Sequence, residues 1–189
     1  LFTIVFSTIF KRNIDNFPVY FLAGWCVITF FNGAIVGAMN SLKGNKNILQ
    51  RTPAPKYIFV LGGIISESLN FIISLFLLGI IMLFTHAPIY WLCIPFSIIP
   101  IISLFIMITG LGLILSIICV YYTDIQHLWT VISMMIFYSS AVFFPMDIVP
   151  EHYRQYLVLS PIYWVVDQFR CFIYKGIFPQ TLNVINLFL

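Results

Sequence analysis

The side chains able to do chemistry in this sequence are few and far apart. Glu67 is the one acidic residue well inside a long apolar run. Carboxylates at such a position are costly and usually face a protein interior or a water path. Two readings follow: a proton-coupling group, or a structural glutamate bonded to Asn70 one turn on. The second is the preferred one. His86, His127 and His152 stand alone, and no Ser/His/Asp arrangement is suggested. There is no GxxxxGK and no GxGxxG stretch, so no nucleotide-binding loop is encoded. Energy for any pumping has to come from another chain or an ion gradient. The four cysteines Cys26, Cys93, Cys119 and Cys171 contain no CxxC pair. They read as small apolar residues in helices, with neither a disulfide framework nor a metal site expected. Asp167 and Arg170 are three residues apart, a spacing at which they neutralise one another on a helix. Catalysis by this chain is not expected.

The elements that must position these groups lie in a bilayer. Apolar residues make up 61% of the 189 and charged residues only 8%, against roughly a quarter charged in soluble domains. A water-facing surface cannot be built from that composition. The net charge of +3 is small and dispersed, which excludes a nucleic-acid-binding footprint. The apolar runs are continuous rather than alternating, which predicts helices, and a crossing needs about 20 mostly apolar residues. Spans are expected at 1–10 (partial), 19–42, 57–85, 96–121 and 128–144, with polar loops at 11–18 and 43–56. Residues 87–123 carry no charge, and Pro95 and Pro100 mark an interfacial approach to the fourth span. Both ends fall inside apolar runs, so a fragment of a longer membrane protein is expected. Lys/Arg counts in alternating loops divide four against five, so the positive-inside rule does not decide the orientation.

The stretch after the fifth span is amphipathic, aromatic and interrupted by proline. Ser160-Pro161 suits a helix start and Gly176 a stop. A re-entrant helix pair is predicted, with arms 150–159 and 161–175. The alternative is an interfacial helix lying flat. Gly33 and Gly37 form GxxxG, flanked by Ala34, Ala38 and Ser41; such a face packs closely on a helix of the same chain or of a second subunit. The aromatics of the fifth span and beyond, among them Phe137, Tyr138, Phe143 and Phe144, suit either an interfacial belt or sugar stacking along a conduit.

Several stretches together resemble one family. Asn47-Ile48-Leu49-Gln50-Arg51 followed by Pro55-Lys56-Tyr57-Ile58 is similar to the loop between the second and third helices of ABC-2 type permeases, in the branch that exports O-antigen, capsule and teichoic acid. Asp124 to Trp129 resembles the turn before the fifth helix. Phe143-Phe144-Pro145 through Val149-Pro150 to Ser160-Pro161-Ile162-Tyr163 and Arg170 resembles the external segment, and Phe17-Pro18 to Gly24-Trp25 the start of the second helix. Departures are Thr123 where Arg is usual, Ala141 for Pro, the inverted Ile48-Leu49 and an extra Pro53. They bear on the inner turn and the fifth helix.

The resemblance implies an all-α, six-helix ABC-2 type permease fold. Here it is truncated at both ends, with four complete spans, part of the first and the start of the sixth. It implies two copies of this chain, each docking a separate ATP-binding-cassette ATPase subunit that binds ATP and Mg, with no cofactor in this chain. Asn47, Ile48, Leu49, Arg51, Pro55 and Lys56 would couple to the ATPase, and Asp124 would mark a cytoplasmic turn. Pro161, Tyr163, Asp167 and Arg170 would form an external gate, and Phe137, Tyr138, Phe143 and Phe144 would line a conduit for a lipid-linked glycan. The location implied is a bacterial cytoplasmic membrane. The competing readings are an ABC-2 exporter of drugs or lipids, and a non-transporting membrane scaffold or embedded enzyme.

Overall fold

The computed structural model describes residues 16–51, 55–85, 93–140, 142, 152 and 160–175. The described residues are helical and contain no strand. Three helices are long and apolar enough to cross a membrane. The first is α1, Phe17–Gly44, 28 residues with Pro18 in its first turn, where the missing N–H costs nothing. After the six-residue α2, Lys46–Arg51, comes α3, Lys56–Phe84. A 3-10 turn, Pro95–Ser97, leads into α4, Ile98–Tyr121. Two shorter helices follow: α5, Ile125–Ser139, and α6, Pro161–Arg170, which runs on into a π-helical turn, Cys171–Lys175.

α1 is the hub. Its membrane-length window is 61% buried, against 17% for α3 and 28% for the 3-10 turn with α4, so the other elements are arranged around it. It packs on α3, α4, α5 and α6. Helices in lipid gain no hydrophobic drive from association, so close packing of small residues has to supply it. The GxxxG face of α1 meets α3 of the same chain. A Cβ on Gly63 would sit 2.7 Å from the Gly37 carbonyl oxygen, and one on Gly37 would sit 3.1 Å from that of Gly63. A side chain on Gly63 would overlap backbone, and one on Gly37 would fit only if the helices moved apart by a few tenths of an ångström. Deeper along the same interface Phe30 stacks on Phe71 at 4.6 Å and leans on Phe105 of α4 at 5.1 Å, so one ring ties three helices together. On the opposite side of α3, Ile65, Leu69, Ile72 and Phe76 are 59 to 72% exposed. An apolar stripe of that kind is stable only against lipid or another membrane helix. The hydroxyls of Ser66, Ser74 and Thr109 bond back to carbonyls one turn earlier, which satisfies them without water.

Two expectations change. The segment 43–56 was expected to be a loop, but it contains the helix α2. Asn45 ends α1 with its own N–H and its side-chain amide both on the Ser41 carbonyl. Its carbonyl then accepts from the N–H groups of Ile48 and Leu49 and starts the next helix. Lys-Asn-Ile-Leu-Gln-Arg holds mostly good helix formers; its polarity, not its propensity, suggested a loop. The fifth span, expected over 128–144, is a helix over Ile125–Ser139. Its 15 residues reach about 22 Å, short of a hydrocarbon core of about 30 Å. It begins earlier because the Asp124 carbonyl accepts from the N–H groups of His127 and Leu128. At its end the Ser139 and Ser140 hydroxyls bond the Ile136 and Phe137 carbonyls. The expected span 1–10, the first re-entrant arm 150–159 apart from position 152, Pro53, Gly176, Phe143 and Phe144 lie outside the described residues.

Candidate functional site

Arg170 makes the most elaborate polar arrangement described in this structure. It ends α6, a helix whose Ile162, Val165, Val166 and Phe169 are buried. That burial turns the last residue of the helix inward, and Arg170 is only 4% exposed. A buried guanidinium costs several kcal/mol unless its donors are satisfied. Here Nε donates to the Tyr20 carbonyl at 3.2 Å, Nη1 to the Tyr20 hydroxyl at 3.0 Å and Nη2 to the Val142 carbonyl at 2.8 Å. The guanidinium carbon also lies 3.8 Å from the centroid of the Tyr20 ring, a cation–π contact. Room for the group comes from Gly24, one turn along α1 from Tyr20. A Cβ there would sit 2.4 Å from Nη2 and 3.1 Å from the guanidinium carbon. Arg170 therefore joins α6, the N-terminal part of α1 and the chain just beyond α5.

Of the other predicted gate residues, Asp167 and Tyr163 lie near it and Pro161 stands at the far end of the helix. Asp167 is half-buried one turn back and favours the charge on Arg170. Tyr163 is half-buried and meets Trp164 edge to face at 5.6 Å. Pro161 is exposed at the start of α6. Ser160 stands at the N-cap position in extended backbone but makes no side-chain capping bond. Beyond Arg170, Tyr174 in the π turn packs edge to face on Tyr20 at 5.7 Å. Tyr20 and Gly24 were not singled out as partners of Arg170. Their i,i+4 spacing on one face was visible, but nothing local ties them to a residue 150 positions away.

Near the same end of α1 lies an aromatic pocket of about 370 Å³, in which Trp25 and Phe137 meet edge to face at 5.5 Å beside Asn32. Tyr138 continues the cluster, 5.6 Å from Phe137 and 60% exposed. The Asn32 Oδ1 atom is buried with no hydrogen-bond partner. Aromatic faces beside an amide are the chemistry that stacks and hydrogen-bonds a ring bearing hydroxyls. Phe137 and Tyr138 thus share a surface with Trp25 and Asn32, which the sequence did not assign to it.

Glu67 is half-buried and accepts a 3.0 Å bond from Asn70. It lies over Gly33: a Cβ there would be 3.0 Å from its Oε2. The carboxylate therefore sits in the α1–α3 seam.

The predicted coupling residues gather at the other end of the bundle. On α2, Asn47, Ile48 and Arg51 are exposed, while Leu49 packs partly against the core. Pro55 is extended and Lys56 opens α3; both are exposed. Asp124, also exposed, precedes α5. A short contact from Gln126 Nε2 to Asn40 Oδ1 fixes the start of α5 to α1. An isoleucine that is 51% exposed on a short basic helix makes a projecting surface rather than a packed one.

The ABC-2 type transporter family matches residues 1–174. The O-antigen export system permease protein RfbA of Myxococcus xanthus is 21% identical over 184 residues, covering 96% of this chain and 70% of that protein. The polysialic acid transport protein KpsM of Escherichia coli is 21% identical over 193 residues, covering 97% and 73%. The capsule polysaccharide export inner-membrane protein CtrC of Neisseria meningitidis is 21% identical over 159 residues, covering 82% and 58%.

Proposed function

This chain belongs to the ABC-2 type transporter family, and on that premise we propose that it is the permease subunit of an ATP-driven exporter. Its cargo is a lipid-linked polysaccharide or teichoic-acid-type polymer, moved outward across the bacterial inner membrane. The observation that carries this reading is the similarity to polysaccharide-export permeases along 96 to 97% of the chain for O-antigen and polysialic acid systems alike. Three membrane-length helices supply the multi-pass body that such a role requires.

The finer assignments are parts of the same proposal. A separate ATP-binding-cassette subunit binds ATP and Mg and docks on α2. Two copies of the permease form the membrane part. Asn47, Ile48 and Arg51 face the ATPase, and Leu49 anchors the helix that carries them. Pro55 and Lys56 pass the motion into α3. Asp124 belongs to the neighbouring turn on the same cytoplasmic side. At the outer end α6 is the second arm of a re-entrant pair. Pro161, Tyr163, Asp167 and Arg170 form the gate, and Phe137, Tyr138, Phe143 and Phe144 belong to the conduit. Glu67 is a structural carboxylate.

The test is genetic and biochemical. Disrupting the gene should trap polymer in the cytoplasm, and the tagged full-length protein should copurify an ATP-binding-cassette subunit. Wild-type surface polymer after disruption would sink the reading.

A further inference from the structure

A second cavity, of about 580 Å³, lies where four helices end, and its lining contains Lys43, Lys46 and Lys56 but no acidic residue. That volume is within the usual range for small-molecule sites, about 300–1,000 Å³. The three lysines come from three elements: the last turn of α1, the first residue of α2 and the first residue of α3. The fold, not a local charge run, brings them to one concave surface. Like charges around a cavity raise one another's energy, the more so beside a low-dielectric wall. An anion relieves that repulsion.

The opposite wall is apolar. Ile117, Val120 and Tyr121 line it from the end of α4 and are 56, 52 and 78% exposed. Their i,i+3,i+4 spacing puts them on one stripe. The stripe continues down a helix that is long and apolar enough to cross the bilayer. The cavity therefore combines three lysines with an exposed apolar stripe, at the level where membrane-length helices finish. A ligand that satisfies both walls carries a phosphate on a long apolar chain.

We infer that this cavity binds the phosphate headgroup of an anionic glycerophospholipid, with its first acyl segment along Ile117, Val120 and Tyr121. Resident lipid is favoured over export substrate by position. On α1, Lys43 is 18 residues beyond Trp25 and seven beyond Val36, about 27 and 10 Å along the axis, and the two cavities share no lining residue. Bound there, the phosphate joins α2 to the ends of α1 and α3 and steadies the segment proposed to meet the ATPase. The leaflet that supplies the lipid, the cytoplasmic one, rests on the orientation proposed above; the binding itself does not.

The test is native mass spectrometry of the full-length permease in detergent, without ATPase or polymer, so that its outcome is separate from that of the export reading. The probes are dioleoyl-phosphatidylglycerol, dioleoyl-phosphatidylcholine and a polyprenyl phosphate. Each lysine near an anionic lipid contributes roughly fivefold. Phosphatidylglycerol should be retained selectively, and the Lys43→Gln/Lys46→Gln/Lys56→Gln variant should weaken its retention by roughly a hundredfold. His127→Gln, exposed at the start of α5 and outside the cavity, should leave retention within about twofold. If the triple variant misfolds, Lys46→Gln/Lys56→Gln, which alters two exposed side chains, should still weaken retention by more than tenfold. Equal retention of both lipids, insensitivity to the lysine variants, or an equal loss in His127→Gln would each overturn the inference. Displacement of phosphatidylglycerol by a tighter-binding polyprenyl phosphate would also overturn it, because the site would then belong to a substrate carrier.

Discussion

Replacing Gly24 by alanine tests whether the Arg170 cluster is a designed fit. The added methyl would lie 2.4 Å from Nη2 and 3.1 Å from the guanidinium carbon, so the guanidinium has to leave its place. It would lose bonds to two carbonyls and one hydroxyl together with its stacking on Tyr20. Bonds to charged groups are worth about 1.5–3 kcal/mol each, and stranding a buried charge costs about 3–5 kcal/mol. Partial relaxation of a long side chain recovers some of this, and alanine gains about 1 kcal/mol over glycine in a helix. The net expectation is a loss of about 2–4 kcal/mol. The assay is a double-mutant cycle on the full-length permease, by equilibrium unfolding in detergent, with Gly24→Ala made in wild type and in Arg170→Met. Without the guanidinium the alanine meets no obstacle and should become neutral or stabilising by up to about 1 kcal/mol, giving a coupling of about 2 kcal/mol or more. Equal effects in the two backgrounds, or stabilisation by Gly24→Ala in wild type, would refute the fit.

Four further outcomes follow from the same geometry. Gly63→Ala should cost about 1–3 kcal/mol by overpacking, since its methyl meets the Gly37 carbonyl, whereas Gly62→Ala, with nothing within 4 Å, should be neutral or slightly stabilising in the same unfolding assay. Ile48→Asp should abolish copurification of the ATPase while changing stability by less than about 0.5 kcal/mol, as exposed positions do; retained ATPase would remove α2 from the docking surface. Phe137→Ala should lower polymer export with assembly intact, and unchanged surface polymer would exclude a conduit role for that ring. Glu67→Gln keeps the Asn70 bond and the seam with Gly33, so export should persist within about twofold, about 0.4 kcal/mol; its loss would point to obligatory proton coupling instead.

How much of this was legible depends on the range of the interaction. The long apolar runs that became α1, α3 and α4 were plain, because a bilayer leaves the backbone few options. The glycine face of α1 was legible as a face but not as a pair: Gly63 belongs to another run, and nothing in the GxxxG pattern selects it. The polar stretch 43–56 was read by composition, and composition cannot distinguish a solvated loop from six residues started by the Asn45 carbonyl. Arg170 was visible as an arginine one turn from Asp167, which suggested a local ion pair. Its described hydrogen-bond acceptors, Tyr20 and Val142, lie far away in sequence. The lysine cavity was invisible for the same reason. Four basic residues in fourteen looked like a loop's charge density, and only the meeting of four helix ends makes three of them a site.

The two ends of the molecule share a single element. α1 runs unbroken from Phe17 to Gly44, carrying Tyr20 and Gly24 of the arginine cluster at one end and Lys43 beside α2 at the other. Between them its glycine face is pressed on α3 so closely that a Cβ on Gly63 would overlap the Gly37 carbonyl. Packed cores are not continuously deformable, so α1 and α3 move together or the seam breaks. Arg170 binds the proposed gate helix α6 to the same helix that abuts the proposed coupling segment. A push on α2 would therefore reach the gate through the axis of one rigid helix. Mechanical coupling of this kind predicts that Arg170→Met lowers polymer export while the ATPase still copurifies, because the proposed docking surface lies at the opposite end. Loss of ATPase binding in that variant would mean that the cluster holds the whole fold together, and the transmission argument would fail.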